Sequence, residues 1–223
     1  MKQEFLKLLK GASDRYNSNI KSISRSRDLI HKNVPLTEID DKASVHKRII
    51  RLGKDEELGR ERLIGGNNLV SIAYLETGIR VSKSVCRIVW QNNFGSIEPI
   101  GTGFLISPQL IMTNNHVIPD EETAKTVTVQ FEYECDSEGK LKNHFSFHLE
   151  PDRFFITSLS EDLDYTIVAI APESRKGKPV EEFGWNKLIP KTGKVVKGEA
   201  LTIIQHPNGE PKQIALQENK LIE

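Results

Sequence analysis

Gly101-Thr-Gly-Phe-Leu-Ile-Ser-Pro-Gln-Leu-Ile-Met-Thr-Asn-Asn-His116-Val-Ile is the stretch on which the fold turns. Read with a period of two, it contains two short strands, Ile100–Ile106 and Leu110–Thr113, broken by Ser107-Pro108. Strands this short, joined by so tight a break, belong to sheets made of many small segments.

The same rhythm extends outward. Val85–Trp90 reads as a strand, followed by a turn at Asn92-Asn93-Phe94-Gly95. Thr126–Tyr133 alternates apolar and polar residues, and Asp136-Ser137-Glu138-Gly139 turns it back into Asn143–Leu149. Thr166–Ile170 is a continuous apolar strand. Leu201–Gln205 and Gln213–Leu216 flank Pro207-Asn208-Gly209, where Asn-Gly suits a hairpin turn of the primed type. Many short strands and no long helix among them argue for a barrel or sandwich.

Before residue 82 the period is different. Leu69, Ile72, Ala73 and Leu75–Ile79 recur near helical spacing, which predicts a helix over 66–81 with Asn67-Asn68 as its cap. Residues 1–62 are polar and basic with short helical patterns. Phe5, Leu6 and Leu9 share one face, and Ile49, Ile50 and Leu52 form a second small apolar stripe. This segment reads as a solvated helical extension or as a docking arm.

Bulk properties narrow the function. The 223 residues carry 31 Lys and Arg against 31 Asp and Glu, so no net charge draws the chain to nucleic acid or to a membrane surface. No apolar run approaches the roughly 18 residues a spanning helix needs. The N-terminal run to Lys10 is interrupted by Lys7 and is amphipathic, unlike a secretory signal. The two cysteines, Cys86 and Cys135, lie in unlike settings, which fits a reducing compartment. The expected location is cytoplasmic.

A second segment joins the first: Glu161-Asp-Leu-Asp164-Tyr-Thr-Ile-Val-Ala-Ile170. A serine hydroxyl needs a base poised near neutral pH to attack an amide, and histidine supplies one. The imidazole must be held in one tautomer, and a carboxylate accepting from its other ring nitrogen does so. Asp164 directly precedes the apolar strand, with Asp162 as its competitor. Both segments resemble the trypsin-like serine peptidase family, in the bacterial branch of HtrA-type and glutamyl-endopeptidase-type enzymes. In that resemblance His116 is the general base and Asp164 its orienting partner, in the family's order.

A third segment, Gly198-Glu-Ala-Leu-Thr-Ile-Ile-Gln-His206-Pro-Asn-Gly209-Glu-Pro-Lys-Gln-Ile-Ala, resembles the opening of the family's second barrel. Its wording is similar to trypsin-like modules joined to non-specific DNA/RNA endonucleases, as is the lead-in from Glu61 to Ile88. The resemblance covers about residues 61–223. It implies a double Greek-key β-barrel, all-β apart from an N-terminal α-helical extension, with the first barrel complete and the second only begun. The implied segments are an extension (1–62), a helical lead-in (63–81), a first barrel with His116 and Asp164 (82–175), and a linker with the first strands of the second barrel (176–223).

The family's nucleophile sits in a turn of the form Gly-x-Ser-Gly-x-Pro. No serine here has that context: Ser107 precedes a proline, and Ser158, Ser160 and Ser174 sit in polar surroundings. The serine is therefore expected beyond Glu223, in a longer parent. The implied activity is that of a serine endopeptidase acting on protein or peptide, with this chain inactive by itself. The alternative is a protease-like binding or regulatory module without catalysis. The resemblance also raises a partner protein or nuclease module in bacterial defence.

Other motifs carry less. Arg62-Leu-Ile-Gly-Gly66 looks like a zymogen cleavage site, but a helix would separate it from the first strand. His144 and His148 share a strand face with Ser146 while Phe145, Phe147 and Leu149 take the other, an ordinary alternation; with Cys135 they do not make a zinc set. Gly101-Thr-Gly103 lacks the third glycine of a dinucleotide loop, where Ile106 stands. No cofactor or metal is expected, and His206 reads as structural.

Overall fold

The computed structural model describes residues 2–53, 71–91, 97–216 and 219–222. The zymogen-like stretch Arg62–Gly66, the expected cap at Asn67-Asn68 and the expected turn at Asn92–Gly95 lie outside these residues. The chain divides into two compact units. One comprises Met1–Leu8, Ile72–Leu188 and Ile204–Ile214, and the other Leu9–Ser71, Ile189–Ile203 and Ala215–Glu223.

The first unit is built on one antiparallel sheet. Helix α4 (Ala73–Lys83), numbered after the three helices that precede it among the described residues, leads into β1 (Val85–Gln91). There follow β2 (Ile97–Ser107), β3 (Leu110–Thr113), α5 (Glu121–Thr126), β4 (Val127–Phe131), β5 (Phe145–His148), β6 (Phe155–Ser158) and β7 (Tyr165–Ala169). The seven strands are ordered β5-β4-β1-β2-β3-β7-β6. Each neighbouring pair is antiparallel, including β3 with β7, where Thr113 faces Thr166. Past the strand ends Leu149 forms an isolated bridge with Ile170, and the Glu150 N–H donates to the Ala169 carbonyl at 2.8 Å.

The core follows from the alternation read in the sequence. Ile88, Leu105, Ile111, Val129 and Val168 point inward and are fully buried. Phe131 stacks on Phe183 with ring centroids 4.6 Å apart and meets Phe147 edge-on at 5.5 Å. Helix α4 runs two residues past the expected end and carries Gly78 in its interior; Ile72, Leu75 and Ile79 stay exposed. Two elements were not legible. Helix α5 takes the first residue expected of a strand, Thr126, because the Asp120 side chain caps it by accepting from the Thr123 N–H at 2.7 Å. Strand β6 is only four residues long, with its two middle residues exposed, so no clear alternation marks it.

Strands β8 (Ile203–Gln205) and β9 (Gln213–Ala215) form a separate pair. Residues 206–212 connect them, longer than a two-residue hairpin. Asn208 still takes the left-handed conformation, φ 52°, as asparagine tolerates. No helix among the described residues is long and apolar enough to cross a membrane.

The second unit contains most of α1 (Lys2–His31), then α2 (Leu36–Ile39) and α3 (Lys42–Leu52). Helix α1 is longer than the short patterns expected from the sequence. It stops where Asn33 adopts φ 52° and the Val34 N–H closes back on the Leu29 carbonyl, with Pro35 just beyond. Asp41 caps α3 by accepting from the Ala43 and Ser44 N–H groups, each at 3.0 Å. One face of α3 buries Val45 and Ile49, which form a small core with Val196.

The aromatic cluster gives a direct test. Truncating Phe131→Ala removes a fully buried ring and both of its ring contacts, and should cost about 3–5 kcal/mol in urea denaturation. A loss below about 1 kcal/mol would mean that this ring is not packed in the core.

Candidate active site

His116 stands on a single turn that follows β3. The Val117 and Ile118 N–H groups both donate to the Asn114 carbonyl, at 3.1 and 3.2 Å, which curls the chain and leaves His116 half-exposed. Val117 and Ile118 are buried and anchor the turn. Gly101 is needed for this approach: a Cβ there would sit 2.7 Å from both methyl groups of Val117.

Asp164 arrives from the other side, one residue before β7. It adopts φ 49°, a left-handed backbone that costs a non-glycine residue about 1–2 kcal/mol. The preceding loop is folded on itself. Asp162 accepts from Ser158 Oγ at 2.7 Å, and the Asp162 and Asp164 N–H groups both donate to the Leu159 carbonyl. Asp162 therefore shapes the loop, and Asp164 is the carboxylate that meets the histidine.

The meeting is close on several atoms. His116 Nδ1 lies 2.9 Å from Asp164 Oδ2 and 3.1 Å from Oδ1. The His116 backbone N–H donates to Oδ1 at 3.1 Å, and Asn114 Nδ2 donates to Oδ2 at 3.3 Å and to the Asp164 carbonyl at 3.0 Å. A carboxylate oxygen accepts from a ring N–H, so this contact favours the proton on Nδ1, and in the neutral ring Nε2 then holds the lone pair. Nε2 has no partner among the described residues, and the Asp164 side chain is 20% exposed. A carboxylate thus holds the His116 ring in one orientation.

Asn114 and Asn115, quoted in the motif without a role, do much of the positioning. Buried Asn115 accepts from the Ser160 N–H at 3.0 Å and donates to Thr157 Oγ1 at 2.8 Å, tying the histidine turn to the aspartate loop. Thr157 Oγ1 pairs with Thr166 Oγ1 at 2.7 Å, and Thr166 Oγ1 in turn pairs with the Ile118 carbonyl at 2.7 Å. Their only trace in the sequence was polar residues next to the histidine and inside apolar strands.

The other singled-out residues lie elsewhere in the first unit. Ser107 Oγ and Ser174 Oγ accept local backbone N–H groups. No serine hydroxyl among the described residues bonds to His116. His148 Nε2 accepts from Arg175 Nε at 3.0 Å, and His144 lies edge-on to Tyr133. Cys86 is buried, which pushes its thiol up to about 12, while Cys135 is exposed. Among the described residues no three His, Cys, Asp or Glu side chains gather as metal ligands.

His206 is buried. Its Nδ1 donates to the Glu210 carbonyl at 3.0 Å, and its backbone N–H donates to Thr102 Oγ1 at 3.0 Å, fixing the turn onto β2. Burial and the nearby Lys212 and Arg87 charges push its imidazole down to about 4.

Residues 101–222 match the family model described as the trypsin-like peptidase domain. That is more than half of the chain, and the chain belongs to this family. A curated relative from Sinorhizobium fredii (strain NBRC 101917 / NGR234), "Uncharacterized protein y4fB", is 43% identical over 201 residues, covering 90% of this chain. The chain spans 30% of that relative's length. Among solved structures, the active form of the Rv3671c protease from M. tuberculosis matches with a TM-score of 0.37 and 18% identity, over 65% of this chain and 52% of that one.

His206 predicts a pH dependence. Its folded value, about 4, lies below the ordinary 6.5, so the unfolded chain binds the extra proton first. Stability from this group is complete above pH 6.5 and is lost as pH falls toward 4. Urea midpoints should therefore fall over that window in the wild type and fall less in His206→Gln; parallel profiles would contradict the assignment.

Proposed function

We propose that this chain is the base-bearing part of a serine-type endopeptidase that cleaves peptide bonds by acyl transfer. His116 takes the proton of the attacking serine through Nε2 and later returns one to the leaving amine. Asp164 holds the Nδ1–H tautomer and stabilises the imidazolium formed during attack. The observation that carries the reading is the contact of His116 Nδ1 with Asp164 Oδ2 at 2.9 Å.

The nucleophile comes from a longer parent. The absence of Gly-x-Ser-Gly-x-Pro from the 223 residues supports this, as does the 30% share that the chain spans of its curated relative. Residues 82–175 form the first barrel of a two-barrel enzyme, and 176–223 its linker and the first strands of the second barrel. The Leu149–Ile170 bridge supports closure of the first. The branch is that of HtrA-type and glutamyl-endopeptidase-type enzymes and of modules linked to nucleases. The enzyme works in the cytoplasm on protein or peptide, with a nuclease module or partner protein in bacterial defence as its associate.

Two measurements test this. In the parent, Asp164→Asn leaves the backbone able to stay left-handed but allows an amide N–H to face Nδ1 and favours the wrong tautomer. Peptide hydrolysis should fall about 10⁴-fold in kcat, and His116→Ala should fall at least as far. Hydrolysis within tenfold of wild type in either variant would leave the non-catalytic reading standing. The 223-residue chain alone should not react with a fluorophosphonate probe; covalent labelling of one of its own serines would overturn the placement of the nucleophile.

A further inference from the structure

The segment from Pro190 to Glu199 has little regular structure of its own, yet it is held at several points by the N-terminal helices. Val196 is fully buried against Val45 and Ile49, with Leu36 and Leu52 at the margin. The Lys197 N–H donates to Asp40 Oδ2 at 3.0 Å. Glu199 receives the Arg48 guanidinium, with Nε at 3.0 Å from both carboxylate oxygens and Nη2 on Oε1, and also accepts the Val196 N–H at 2.9 Å. Lys47 Nζ donates to Thr192 Oγ1 at 3.0 Å.

Two glycines lie on this contact, and one of them reaches the helix backbone. Gly193, at φ 70°, lies so near α3 that a Cβ would meet Lys47 Cβ at 2.5 Å and the Lys47 carbonyl carbon at 3.1 Å. Gly198, at φ 89°, would place a Cβ 2.6 Å from Leu36 Cδ2 and 3.2 Å from Ile39 Cδ1. Both need glycine for the left-handed backbone, and Gly193 needs it also for the contact with the backbone of α3. A segment that only linked two folded parts would have no reason to meet a helix this way.

We infer that residues 36–52 are a clasp that imposes the path of residues 190–199, with Arg48 and Asp40 as its positioning residues. Arg48 and Glu199 are the charged lock: their side chains are 20% and 17% exposed, so each would lose a fixed partner in a poorly solvated place if the clasp opened. The buried Val45–Ile49–Val196 contact is the apolar hinge of the same device. Displacing the arm frees the connector, an order-to-disorder switch driven by loss of one packed helix.

The consequence for activity rests on the peptidase reading above. Residues 198–215 open the segment that resembles the second barrel, so the clasp fixes the start of the chain that leads on to the nucleophile. An enzyme with its arm released would keep His116 and Asp164 but hold its serine less well placed, lowering kcat more than it raises KM.

Hydrogen exchange on the 223-residue chain tests the clasp without any need for catalysis. Arg48→Met and, independently, Gly193→Ala should each speed exchange of the Val196 and Lys197 amides about tenfold or more, with the Ile88 and Val129 amides of the sheet unchanged. Protection at 196–197 that stays at the wild-type level in both variants would overturn the clasp. In the longer parent, Arg48→Met should lower kcat for peptide hydrolysis with a smaller change in KM; an unchanged kcat alongside faster exchange would overturn its role in positioning. A wild-type parent without any hydrolysis would sink the peptidase reading instead, while the exchange result would still judge the clasp.

Discussion

The Asp164 carboxylate is the point on which the site depends. It receives the imidazole Nδ1–H, the backbone N–H of the same histidine and an amide N–H of Asn114. Its own backbone is left-handed, which costs about 1–2 kcal/mol. Charge-assisted hydrogen bonds contribute roughly 1.5–3 kcal/mol each when well formed, so they offset that cost even when partial solvent exposure weakens them. Strain at the aspartate and order at the histidine are two sides of one arrangement: the turn in the backbone aims the carboxylate, and the carboxylate fixes the ring.

Around this pair the first unit supplies a frame with little freedom. Strand β3 carries the histidine turn, and β7, its antiparallel neighbour, starts beside the aspartate. Polar side chains between them, Asn115, Thr157 and Thr166, are satisfied by one another and by the backbone, which fixes the two loops in one relation. Gly101 lets β2 lie against Val117. The role proposed for this pair needs placement within about 0.5 Å, and short strands joined by polar bonds achieve that better than a long loop would.

Much of this was legible in the residues. Short apolar or alternating runs bounded by turn residues marked β1, β3, β4, β5 and β7 to within two residues or so, although β4 is buried on both faces. The flanking pattern around His116 and the position of Asp164 just before an apolar strand singled out the pair that the structure brings together. Other parts left no local trace. The left-handed backbone that sets Asp164 apart from Asp162 is held by loop hydrogen bonds that no sequence pattern marks. Strand β6 exposes its two middle residues, so no period shows. The contact of α3 with residues 190–199 joins segments about 150 positions apart, as Arg48 and Glu199 illustrate. In the sequence the first lay in a polar, basic segment with short helical patterns and the second in a linker with the first strands of a second barrel. Long-range pairing of that kind is invisible to periodicity.

The central claim concerns one proton. If Asp164 sets the tautomer, ¹⁵N spectra of the His116 ring at neutral pH will show a protonated Nδ1 and a bare Nε2, with the Nδ1 proton shifted downfield by its carboxylate bond. The same ring in Asp164→Asn should lose that downfield proton. A neutral ring carrying its proton on Nε2 in the wild type would contradict the account.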